Sequence, residues 1–202
     1  MCSSDLGDAV EVIPMTLEQL RAHGDYGSDS EWARPQYQSV QVIMDRTDGE
    51  IGRVIDAKRR VPDEIRQERL RLALDSFINS YFRSARNRLL GLELAARLDA
   101  VESMPPFLET IFMFEGRVRP FNKQLAWVLA RSPLRESAWH PEKLFALLTK
   151  VCDGDGEAQQ SIFREVERAA RDAGLADVIE GWQPDLPWLR GEGDYRAAVP
   201  GE

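Results

Sequence analysis

The chain has 202 residues, 43% hydrophobic and 30% charged, a balance that builds a packed core and excludes a disordered polypeptide. Two cysteines, Cys2 and Cys152, are too few for a disulfide framework or a cysteine-rich zinc site, and no apolar run nears the ~20 residues of a membrane span. A net charge of −8 speaks against general nucleic-acid binding; no signal-peptide pattern opens the chain, so a cytoplasmic location without a membrane partner is expected.

The charge is unevenly spread. Residues 1–57 hold eleven acids and four bases, residues 58–152 seventeen bases and eleven acids, and residues 153–202 twelve acids and five bases. Between Gly116 and Arg135 there are five bases and no acid. A basic centre between acidic ends points to an anionic ligand such as a nucleotide or phosphate; the competing reading is a set of solvated helix faces.

In chain order, Cys2-Ser3-Ser4-Asp5-Leu6 matches the translation of a sequencing-adapter end. Residues 1–7 are therefore expected to be a scar or tail, with the gene continuing upstream. Residues 9–13, with Val10, Val12 and Ile13 around Glu11, favour a strand. Thr16 with Gln19 three positions later forms a capping box that opens a short helix. A polar, glycine-containing loop follows to Ser30, and residues 40–44 form the second expected strand, closed by the turn at Asp45 to Gly49. Ile51, Val54 and Ile55 then mark one face of a helix over residues 50–59.

Beyond Pro62 the pattern turns helical. Leu70, Leu74, Phe77, Ile78 and Tyr81 recur at three- and four-residue steps, and Gly91 interrupts. A second helix carries Leu94, Leu98 and Val101 until Pro105-Pro106, which should kink or restart it because neither proline has an N–H to donate. Further helices are expected after Pro120, after Pro141 and from Glu157 to Ala173, the last stopped by Gly174. The fold class expected is α+β, mostly α. The remnant of a small sheet occupies residues 8–60, an antiparallel bundle of about five helices residues 61–182, and a flexible tail residues 183–202.

Two stretches carry a family resemblance. Residues 39–49, Ser-Val-Gln-Val-Ile-Met-Asp-Arg-Thr-Asp-Gly, and residues 111–123, Ile-Phe-Met-Phe-Glu-Gly-Arg-Val-Arg-Pro-Phe-Asn-Lys, resemble nucleotidyltransferase-family proteins, the group that includes aminoglycoside adenylyltransferases. The first is similar to that family's closing strand and Asp-x-x-Gly-type turn, the second to the aromatic corner of its helical domain. With residues 78–91, the likeness covers most of residues 8–150. It implies transfer of a nucleoside monophosphate from a nucleoside triphosphate to an acceptor hydroxyl, on a small molecule or a macromolecule. Magnesium would be held by Asp-x-Asp after a Gly-Ser turn, with a third carboxylate on the next strand.

A Gly-Ser turn with Asp-x-Asp close behind it is absent from this sequence, and Gly27-Ser28 does not replace it, since no Asp-x-Asp follows within residues 29–60. Glu11 alone matches the third carboxylate, as general base or metal ligand. One carboxylate does not hold the metal, so the chain by itself is expected to bind magnesium poorly and to be inactive. Arg117, Arg119 and Lys123, at a helix corner, and Arg83 and Arg86, three apart on one helix, are the candidate contacts to nucleotide or substrate phosphates. Two rivals stand beside this reading: a non-catalytic helical scaffold, and a helical toxin-type ribonuclease using Arg135 and His140.

Overall fold

The computed structural model describes residues 12–192. Glu11, the segment 1–7 and most of the strand expected at 9–13 lie outside them. The described residues are mostly helical: α1 Leu17–Ala22, α2 Glu50–Lys58, α3 Asp63–Leu89, α4 Glu93–Met113, α5 Asn122–Arg131, α6 Pro141–Cys152, α7 Gly156–Asp172, α8 Ala176–Glu180 and α9 Leu186–Leu189, with 3-10 turns at Glu31–Gln38 and Ser137–Trp139.

The scaffold is the hairpin of α3 and α4. Gly91, at φ 73°, supplies the left-handed residue that reverses the chain between them. The helices run antiparallel, since Ser84 Oγ donates to the Ala96 carbonyl at 2.7 Å near the turn and Val61 N–H to Gly116 O at 3.0 Å at the open end. Leu74, Phe77, Ile78 and Tyr81 on α3 are buried against Ala100, Met104, Phe107 and Ile111 on α4. The rings of Phe77 and Phe107 lie 5.6 Å apart.

Contrary to expectation, Pro105-Pro106 does not interrupt the helix; α4 runs through both. The carbonyls that lose a donor are those of Val101 and Glu102, both on exposed residues, where water can replace the missing bond. A mid-helix proline costs about 3 kcal/mol. Burying Met104, Phe107, Leu108 and Ile111 returns roughly 1.5–3 kcal/mol each, so packing overrides the local break.

α6 and α7 close the hairpin, with Trp139 set edge-on to Phe107 at 5.3 Å and Phe163 against Tyr81 at 5.4 Å. The tail expected from residue 183 begins too early. Leu186 and Leu189 are fully buried, and the Tyr81 hydroxyl donates to Leu189 O at 2.8 Å.

The sheet remnant is not found among the described residues. Residues 40–44 form no ladder, Ile43 is 95% exposed, and Val12, Ile13 and Met44 also stand in solvent. β-branched residues favour extended backbone, but a strand needs a neighbour to take up its N–H and C=O groups. Two buried cations organise this region instead. Arg34 donates to the carbonyls of Gly24, Ala57 and Arg60, and Lys58 donates to Arg21 O and pairs with Asp25 at 2.7 Å.

Candidate functional site

The five cations expected to converge are dispersed. Arg83 is paired with Asp99 at 3.1 Å and with Glu102, both on α4. Arg86 and Lys123 are exposed and line none of the clefts described below. Only Arg117 and Arg119 share a cavity, a cleft of about 570 Å³ that also contains Arg34, Arg69, Trp32 and the carboxylates Glu31 and Glu109. Desolvation by the cleft wall raises the Glu109 carboxyl above its ordinary value, while Arg119 and Arg69 pull it back. Desolvation likewise lowers Arg119, opposed by Glu109. Cations and acids here answer one another.

A second cleft, of about 640 Å³, opens on the other side of Arg117. Arg59 and Arg60 reach it from the end of α2, Arg117 from the turn after α4, Arg131 from the end of α5 and Arg135 from the following loop; Asp56 and Glu115 are its carboxylates. Trp127 and two glutamines, Gln38 and Gln41, complete the polar wall.

Short backbone contacts place these side chains. Val61 N–H donates to Gly116 O and Val118 N–H to Arg59 O, both at 3.0 Å, making an isolated antiparallel bridge between Arg60 and Arg117. Residues opposite each other in such a bridge project to the same side. Gly116 sits at φ 68°, which favours glycine at the corner; a Cβ there would also push aside the mobile end of Arg66, 2.8 Å away. Arg131 lies over the half-buried Trp127 ring at 3.9 Å, which fixes its guanidinium at the rim.

The charges of this cleft are not balanced. Arg59 is engaged by Asp56 at 2.7 Å and by the Tyr37 and Val40 carbonyls. Arg117 meets Glu115 only at 3.7 Å; desolvation lowers its pKa, Glu115 opposes that shift, and nearby Arg135 adds to it. Arg60, Arg131 and Arg135 have no carboxylate within salt-bridge distance among the described residues. Guanidinium forks in excess of carboxylates suit a phosphate group, two of whose oxygens accept parallel N–H bonds from one fork.

No protein-family model matches this chain, and no curated protein or solved structure gives a significant match.

Arg60, Arg131 and Arg135 were not among the expected contacts. The signal for the last two was the acid-free run from Gly116 to Arg135; Arg60 has no local signal, since only the bridge brings it in. His140 caps α6 from an exposed position and does not line the cleft that holds Arg135. Among the described residues no three His, Cys, Asp or Glu side chains are grouped to hold a metal ion. The two carboxylates of the arginine cleft already accept hydrogen bonds, Asp56 from Arg59 and Glu115 from the Arg135 N–H. These residues do not fit a magnesium site.

Proposed function

We propose that this chain is the helical part of a nucleotidyltransferase-like protein and that its arginine cleft binds the phosphates of a nucleoside triphosphate. One observation carries the reading: Arg60, Arg117, Arg131 and Arg135 come from separate elements to one concave surface, and three of them lack an acidic partner. Clustered cations repel, and the half-buried Arg117 also loses hydration while Arg60, Arg131 and Arg135 stay exposed; a bound anion offsets both costs. The resemblance of residues 39–49 and 111–123 supplies the reaction class, with magnesium and the acceptor belonging to the intact active centre.

Calorimetry with ATP and with inorganic triphosphate at low salt tests the binding. Arg131→Gln and Arg135→Gln should each weaken both ligands about tenfold, the loss of one charge-assisted contact. Arg86→Gln, outside the cleft, should leave them unchanged. Equal affinity in all three variants, or no binding by the parent chain, would refute the proposal.

The chain alone is expected to transfer no nucleotide, since its sequence has no Gly-Ser turn with Asp-x-Asp close behind it. Incorporation of label from ATP into an acceptor by this chain would overturn that half. A non-catalytic scaffold is the second reading, favoured by the pairing of Arg83 with two acids on its own surface. It predicts that the cleft ignores both phosphate ligands.

A further inference from the structure

The outer face of α4 carries an apolar stripe that nothing among the described residues covers. Leu94 is 73% exposed, Leu98 59% and Val101 48%, and Leu90 and Leu92 extend the patch at the hairpin turn. Exposed Pro105 continues the line. The steps from 94 to 98, 101 and 105 are four, three and four residues, the 3.5-residue repeat of a helix seam that packs against a second helix. The inward face of α4 is already buried on α3, so this is a second interface and not a misplaced core.

We propose that the stripe is a dimer interface, in which α4 packs in parallel against α4 of a second copy of the chain. Its size fits: the five aliphatic side chains expose on the order of 500 Å² of apolar surface, at the upper end for a monomer. A standard-size interface buries about 800 Å² per partner, and at the roughly 65% apolar share of homodimer contacts that is about the same apolar area, so the fit is to a small dimer interface.

The flanking charges identify the partner. One edge of the seam carries Arg97 and the other Glu102; Asp99, beside Glu102, is already taken up by Arg83 and Asn87. About a two-fold axis running along the helices, each copy's Arg97 faces the other's Glu102 five positions on, the spacing of flanking ion pairs in parallel helix pairs. An antiparallel pairing would instead set like edges against each other. Glu102 retains a large free surface beside Arg83, its side chain being 62% exposed.

Sedimentation equilibrium of the whole chain tests the interface. The parent should sediment at twice the mass of the chain. Leu94→Glu with Leu98→Glu should weaken dimerisation at least roughly a hundredfold, since each loss counts twice by symmetry. Both leucines are already in solvent in the single copy, so circular dichroism should be retained, and the variant's Tm should equal that of the parent diluted to monomer. A monomeric parent at high micromolar concentration, or a dimer that survives the double substitution, would overturn the proposal.

Cysteine cross-linking tests the direction. In a background with Cys2→Ser and Cys152→Ser, Leu98→Cys and Val101→Cys should each form a covalent dimer alone under mild oxidation. Parallel pairing puts each residue against its own copy. Cross-linking only in a mixture of the two variants would show an antiparallel pair and overturn the assignment.

Discussion

Arg60 and Arg117 stand directly opposite one another in the antiparallel bridge that joins the end of α2 to the turn after α4. The backbone bonds flank the pair from Val61 and Val118 and do not pass between its own N–H and C=O groups, so it is the closer type of antiparallel pair. Like charges at this spacing destabilise the fold. The bridge thus sends both side chains to one side, and both line the same cleft.

Arg60→Gln should therefore separate stability from binding. Removing one of two facing cations is expected to raise stability by about 0.5 kcal/mol while weakening ATP and triphosphate. Thermal melts and calorimetry on the same variant check this. A fall in both would mean that Arg60 is a structural residue.

Gly116→Ala should damage the same corner. The residue sits at φ 68° with the Arg66 guanidinium 2.8 Å from the position of a Cβ, so alanine is strained and displaces its neighbour. A loss of about 1–2 kcal/mol is expected. It should be accompanied by weaker triphosphate binding, because Arg117 is the next residue. Urea denaturation gives the first quantity and titration the second.

Glu167 ties the C-terminal turn to the core. Buried at 7% exposure, it accepts from Arg190 at 2.8 Å and from Arg171 at 2.8 Å. Hydrogen bonds from Arg190, ahead of those from Arg171, hold its carboxyl below the ordinary value of 4.5 against desolvation. A depressed folded pKa means the unfolded chain binds more protons, so this stabilisation is complete above the ordinary value. It is lost as pH falls from there through the folded value. Glu167→Gln should cost about 3 kcal/mol at pH 7, and the gap should narrow in acid. A pH-independent difference in urea midpoint would contradict the linkage.

Glu109 should show the opposite sign. Desolvation raises its carboxyl above the ordinary 4.5 despite Arg119 and Arg69, so the folded chain binds more protons than the unfolded one just above that value. Its contribution to stability therefore falls as pH rises through the folded pKa. Glu109→Gln is expected to be more stable than the parent at neutral pH, with the advantage fading as pH falls through the raised folded pKa and gone below the ordinary value. A variant less stable at pH 7 would show that the two arginines outweigh desolvation.

The sequence by itself determined the helices whose causes are local. The spacing of Leu70, Leu74, Phe77, Ile78 and Tyr81 reads as one face of α3. Thr16 with Gln19 marks the start of α1 through a capping box that forms in both directions, and Gly91 and Gly174 mark stops at positive φ. Each depends on residues within one or two turns.

Tertiary structure decided the rest. Whether Pro105-Pro106 ends a helix depended on the burial that α3 offers α4, and whether residues 183–189 form a tail depended on the space beside Tyr81 for Leu186 and Leu189. Residues 40–44 have the composition of a strand, but a ladder is a property of two segments, and no partner lies beside them among the described residues. The candidate site followed the same rule. The acid-free run announced Arg117, Arg131 and Arg135 as an excess of charge, yet charge along a sequence carries no direction. Only the bridge between Arg60 and Arg117, the fixed corner at Gly116 and the stacking of Arg131 on Trp127 turn those guanidiniums toward one cleft, while the α3–α4 contact turns Arg83 away and closes it with acids.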